Sequence, residues 1–294
     1  MDAPTTLAGT PWTQKGLVLR LRERSSAFDF VIGAVDGFIR HRTGRHAALL
    51  AHYGFLSVFP LLVVMTTILG FVLEGDSTLQ ADITDSVFAN IPFIGEQLKS
   101  DPSKLHGNAV VLIIGLATAL WAGTKAFVAA QHAMNDIWEI PDARRPSLAK
   151  TRGRALLAIA VVGVAQIGSA IVTGIVGISG VSWLNRILLV VAAVAINIGV
   201  LLAAFRVLTA ERLTVRQLLP GSIGAGIGFS VLQVIGATVV QRAIKNASPV
   251  YGSFATVIAL LSWLSLHAMV SLLGAEANAA LHRHRSPHRS ASAR

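Results

Sequence analysis

Long apolar runs alternate with short charged gaps along this chain. Six runs stand out: His46–Leu73, Gly107–Asn135, Arg154–Gly180, Asn185–Leu208, Gln217–Val240 and Gly252–Leu281. Each exceeds the roughly 20 residues that cross about 30 Å of hydrocarbon at about 1.5 Å per residue. In lipid a lone strand would leave its backbone groups unpaired, so each run is expected to be a helix. The pattern predicts an all-α, polytopic membrane protein with six transmembrane helices.

Two further stretches are amphipathic. Phe28, Val31, Ile32, Val35, Phe38 and Ile39 recur at helical spacing, with Ser26 placed to cap the helix. This helix is expected either at the inner membrane interface or packed on the cytoplasmic ends of the bundle. Between the first two runs lies a long acidic loop, residues 74–106, expected on the outside. Within it Ser77 and Gln80 have capping-box spacing, and Leu79, Ile83, Val87 and Ile91 share a helical face up to Pro92. The expected division is a cytoplasmic segment 1–45, a transmembrane domain 46–281 and a basic tail 282–294.

Composition agrees with this pattern. Apolar residues make up 53% and charged residues 14% of 294, whereas soluble domains carry about 25% charged residues. The net charge of +10 would point to nucleic acid in a soluble protein, but the placement of the charges points elsewhere. Nineteen Lys and Arg fall in the N-terminal segment, the gaps after the second and fourth runs, and the tail. Five fall in the remaining gaps, and Lys125 lies inside the second run. This asymmetry places both termini in the cytoplasm and requires an even number of spans. No cleavable signal peptide is expected, because the first apolar run lies behind a long polar segment.

The chain has no cysteine, which excludes disulfides and thiolate chemistry. Phosphate-loop, His-Glu-x-x-His and Gly-x-Ser-x-Gly signatures are absent. No catalytic residue, metal site or cofactor is expected. Gly224 and Gly228 in the fifth run read as small-residue helix packing. Pro60 should kink the first span.

Polar residues inside the runs carry more information, because a charge in hydrocarbon costs several kcal/mol and seeks a partner. Lys125 and Glu276 are expected to face the bundle interior, within reach of an ion pair. His52, Gln131, His132, Asn135 and Asn278 lie at similar depth. Together they could form a polar layer towards the cytoplasmic side. Such a layer either ties the helices together or lines a cavity for an ion or a lipid headgroup. Asn197 and His267 lie near mid-span and are expected to serve as interhelical hydrogen-bonding groups.

Four segments resemble the YihY/BrkB family of bacterial inner-membrane proteins. They are Phe59-Pro60-Leu61-Leu62; Trp121 through Phe127, continuing from Ala133 to Trp138; Leu219-Pro220-Gly221; and Tyr251 through Phe254, with Trp263 and Gly274-Ala275-Glu276-Ala277-Asn278. The resemblance covers about residues 30 to 282. It implies a six-helix inner-membrane protein linked to envelope integrity and, in one branch, to serum resistance. Some members carry a ribonuclease label. Asp136, Glu139, Asp142 and Glu211 are few and interspersed with arginines, which is a poor basis for metal-dependent RNA hydrolysis. The leading expectation is therefore a non-enzymatic envelope protein that binds or translocates a lipid or other amphiphile. The alternatives are a structural scaffold without substrate and, less favoured, a cytoplasmic-face ribonuclease. Expected partners are membrane lipids and anionic headgroups at the cytoplasmic face, with no nucleic acid. The Gly-rich faces leave a homo-oligomer open.

Overall fold

The structure is a computed structural model that describes residues 26–72, 108–178, 183–245 and 252–285. The expected helices of the 74–106 loop and the tail past Arg285 lie outside the described residues. Among the described residues the regular elements are seven α-helices and one 3₁₀ turn. They are α1 (Ser26–Arg40), α2 (Thr43–Val72), α3 (Ala109–Ile137), α4 (Leu148–Ile178), α5 (Trp183–Leu208), α6 (Val215–Lys245) and α7 (Gly252–Arg285), with the turn at Asp142–Arg144.

All six apolar runs are thus helical. Among the described residues four helices contain a stretch long and apolar enough to cross a membrane: Thr43–Ile68, Ala109–Ile137, Val190–Leu208 and Val257–Arg283. Each of α2 to α7 packs on its neighbour in sequence, and α7 returns to pack on α2, so the six long helices close a ring.

Helix ends follow local chemistry. Asn108 caps α3 by accepting from the Val110 and Val111 N–H groups at 3.0 and 3.2 Å. Gln217 Oε1 accepts from the Thr214 N–H at 2.7 Å, which is half of a Thr-x-x-Gln capping box at the start of α6. Between α1 and α2 the chain turns in two residues, and Arg42 adopts a left-handed φ of 53°. Glu139, just after α3, has a φ of 52°. Non-glycine residues pay roughly 1–2 kcal/mol for this conformation. Both strained positions flank the polar cluster described below.

Among the described residues the buried core lies towards one end of the ring. It is built from Ala47 of α2, Ala130, Ala133, Met134 and Ile137 of α3, Ala158 of α4, and Leu201, Phe205 and Leu208 of α5. Leu213 just before α6 and Leu218 and Ala225 within it, with Ala268, Leu272, Ala275 and Ala279 of α7, complete it. Alanine dominates because lipid tails are as apolar as leucine. Association then depends on close backbone approach rather than on hydrophobic contrast. This end also carries the α1–α2, α3–α4 and α5–α6 connections and their arginines, and is called the basic end below.

The tightest crossing joins α6 and α7. A Cβ on Gly274 would lie 2.6 Å from the Gly221 carbonyl oxygen, and one on Gly221 would overlap the Gly274 carbonyl oxygen and Asn278. Gly228 approaches Val270 of α7, and Gly226 approaches Ile198 of α5. Among the described residues Gly224 does not take the packing role expected of it: none of them lies within 4 Å of its Cβ direction. Gly221 and Gly226 take that role beside Gly228, because the Gly221–Gly274 contact sets which face of α6 meets α7. Pro60 lies inside an α2 that continues to Val72.

Candidate functional site

At the basic end a layer of polar side chains is buried among the helix ends. Glu276 of α7 is completely buried. Thr43 Oγ1, at the start of α2, donates to its Oε1 at 2.6 Å. His41 Nδ1, in the α1–α2 corner, lies 2.9 and 3.1 Å from its two oxygens. A Cβ on Gly37 of α1 would reach Glu276 Oε2 at 2.5 Å, so the glycine lets α1 lie directly over the carboxyl group.

His41 continues outward. Its Nε2 lies 3.3 Å from Glu139 Oε1, and the same oxygen takes Arg40 at 2.7 Å and Arg283 at 3.3 Å. Burial by itself would lower the His41 pKa, but the hydrogen bonds to Glu139 and Glu276 outweigh it, and the pKa is raised. For Glu139, burial pushes upward, while His41, Arg40 and Arg283 pull further down, and the carboxyl is held below its usual range. Beside this chain, Asp136 takes His46 Nε2 at 3.0 Å and Arg145 at 2.7 Å. Arg145 also reaches Asp142 at 3.1 Å.

The neutral members of the layer bind backbone. Asn278 Oδ1 accepts from the Gly221 N–H at 2.6 Å, and its Nδ2 donates to the Leu218 carbonyl at 2.8 Å. Pro220 interrupts the ladder of α6 here, and the Asn278 amide supplies partners to backbone groups beside the interruption. Two family-like segments, Leu219-Pro220-Gly221 and Gly274 through Asn278, are therefore in direct contact. Asn135 Oδ1 accepts from the Ala210 N–H at 3.1 Å, and Gln131 Nε2 donates to the Thr151 carbonyl at 2.8 Å. Asn135 thus ties α3 to the α5–α6 connection, and Gln131 ties α3 to α4. Higher up, Asn197 Nδ2 donates to Ser230 Oγ at 3.2 Å, joining α5 to α6.

Of the residues expected in the layer, Gln131, Asn135, Glu276 and Asn278 lie inside it. Lys125, His52 and His132 are exposed on the outside of the ring. Lys125 does not pair with Glu276. Its Nζ stands 5.8 Å from the Trp121 ring centroid, one turn earlier on the same outward face of α3. A cleft of about 550 Å³ between α3 and α4 is lined by Leu120, Trp121, Thr124, Lys125, Leu148 and Arg152, among others. His52 opens onto a second cleft, about 520 Å³, with Ser262 and Ser265 of α7. His41, Thr43 and His46 also belong to this polar cluster, although they are not among the residues expected in the layer. They follow a basic stretch at the mouth of the first span, and polar residues where an apolar run begins were the available signal.

Among the described residues no group of three or more His, Asp or Glu is arranged to hold a metal ion. What the cluster can do is hold α1, α2, the α3–α4 connection and α7 together through charge-assisted hydrogen bonds. The long apolar helices and the buried polar layer define an integral membrane protein of the α-helical, multi-helix class.

Residues 34–294 match the protein family described as Virulence factor BrkB, and the chain belongs to that family. It is 24% identical over 259 residues to a Bacillus subtilis (strain 168) protein named "Putative ribonuclease-like protein YfkH", covering 83% of this chain and 91% of the relative. It is 23% identical over 271 residues to the inner membrane protein YhjD of Escherichia coli (strain K12), covering 85% and 80%. A UPF0761 membrane protein of Pseudomonas aeruginosa (strain LESB58) is 24% identical over 252 residues, 81% of this chain and 59% of that protein. No solved structure matches the chain.

Proposed function

We propose that this protein is a six-span inner-membrane protein of the bacterial cell envelope that binds or moves a membrane amphiphile at its lipid-facing surface. The basic end is taken as the cytoplasmic face, on the asymmetry of Lys and Arg. The observation that carries the reading is the position of Lys125, an exposed cation on a membrane-length helix that opens onto a cleft of about 550 Å³. A cation facing hydrocarbon is costly and commonly marks a path or a binding site. The polar layer then serves as structure: its hydrogen bonds tie helices to one another and to the connections at this end.

The reading is non-enzymatic. Asp136, Glu139, Asp142 and Glu276 each face an arginine or histidine, whereas metal-dependent hydrolysis of RNA needs carboxylates available to the metal. The YfkH name is the observation that favours a nuclease. Metal-dependent RNA cleavage by purified protein that survives contaminant controls would establish that reading instead.

The test is a proteoliposome assay of lipid movement and retention with wild type, Lys125→Ala and Glu276→Ala. The expected result is loss on Lys125→Ala in protein that remains folded. Identical behaviour of wild type and Lys125→Ala would favour a scaffold without substrate.

A further inference from the structure

We infer that the α3–α4 cleft is a binding site for one lipid with an anionic phosphate headgroup, held between Lys125 and Arg152 with an acyl chain along Trp121. This rests on the amphiphile-binding reading above and names its ligand class and pose.

The charge of the cleft is one-sided. Its lining includes two cations, Lys125 and Arg152, and no Asp or Glu. Neither cation has a carboxylate partner among the described residues; the Lys125 contact is the Trp121 ring. Three other cations at this end do meet carboxylates: Arg40 and Arg283 meet Glu139, and Arg145 meets Asp136. Lys125 and Arg152 stand instead on one cleft whose remaining lining is mostly apolar: Ala117, Leu120, Trp121, Val128 and Leu148. The α2–α7 cleft, lined by His52, Ser262 and Ser265, contains no Lys or Arg and makes a poor anion site.

Depth sets the pose. Lys125 lies 12 residues before the end of α3 at Ile137, about 18 Å along the axis by helical rise. Arg152 stands in the first turns of α4, at the basic end. A lysine side chain spans only part of that depth when it snorkels, so a phosphate between the two would compensate both. Trp121 and Leu120 lie further from the basic end along α3, where an acyl chain descends from a headgroup placed there. Thr124 adds a hydroxyl beside Lys125. The volume lies within the roughly 300–1,000 Å³ typical of ligand pockets.

The experiment uses the full chain in nanodiscs and detergent. Native mass spectrometry compares retention of phosphatidylglycerol with phosphatidylethanolamine. Quenching of Trp121 by each lipid carrying brominated acyl chains reports the pose, with Trp121→Phe as the reference. The expected result is one retained phosphatidylglycerol, preferred about tenfold or more, as two cations near a surface predict. Lys125→Ala and Arg152→Ala should each cut that preference severalfold, and Lys125→Arg should restore it. Inorganic phosphate in excess should not displace the lipid. Equal retention of the two lipids, or a preference untouched in folded Lys125→Ala and Arg152→Ala, overturns the anionic site and leaves the broader amphiphile reading standing. Absence of any lipid-dependent quenching of Trp121 overturns both. Displacement by inorganic phosphate would make this a soluble-anion site and overturn the lipid assignment.

Discussion

His41 Nδ1 lies 2.9 Å from Glu276 Oε1, across 235 positions of sequence. The two residues belong to the α1–α2 corner and the basic-end part of α7, and Gly37 makes the approach possible. With Nε2 on Glu139, one imidazole bridges two carboxyl groups and joins three parts of the chain.

Stability should therefore depend on pH in a defined direction. The His41 pKa is raised above its ordinary 6.5. A raised histidine contributes stability that is complete below the unfolded-state value and is lost as pH rises through the folded value. Glu139, held below its usual range, contributes in the opposite sense, above its unfolded-state value, and loses that contribution as pH falls through the folded one. Thermal unfolding in detergent should thus show a maximum in weakly acidic buffer and a decline towards alkaline pH. His41→Gln should flatten the alkaline side. The same alkaline decline in His41→Gln as in wild type would remove the bridge as its cause.

Glu276 and Lys125 should differ sharply in their effect on folding. Glu276→Ala strands His41 and Thr43 and is expected to cost on the order of 3–5 kcal/mol, as for loss of one partner from a buried ionic contact. Lys125→Ala removes an exposed side chain and should change stability by less than about 0.5 kcal/mol. Denaturation midpoints of both variants in the same detergent check this. Comparable losses would mean that Lys125 is buried after all.

Close approach of α6 and α7 makes a prediction about glycines. Gly221→Ala and Gly274→Ala should sharply lower folded yield, because each added methyl meets backbone of the facing helix. Gly224→Ala should be tolerated, since its Cβ direction is open, and could stabilise by up to about 1 kcal/mol through helix propensity. Size-exclusion profiles and melting temperatures would separate the three variants. Asn278→Ala should cost about 1–3 kcal/mol for each buried backbone group left unpaired.

Orientation can be tested directly, because the chain has no cysteine. A single Arg144→Cys should react with an impermeant maleimide only after the inner face is opened. Lys99→Cys and Lys245→Cys should react in intact cells. Labelling of all three from the same side would remove the six-span topology.

The sequence by itself determined the helical membrane class, the family and the position of each polar residue along its helix. Apolar length and the need to satisfy backbone groups in lipid leave few alternatives, and rise per residue converts position into depth. It could not determine which way Lys125 and Glu276 point. The helices that carry them are apolar nearly all round, so no polar stripe in the sequence marks inside from outside. Only the tertiary structure decided that Glu276 is enclosed beneath Gly37 while Lys125 opens outward beside Trp121. It also decided that Gly221, rather than Gly224, sits at the crossing. Each outcome depends on how a helix is rotated against its neighbours, which is set by contacts such as Gly221 on Gly274 between residues far apart in the chain.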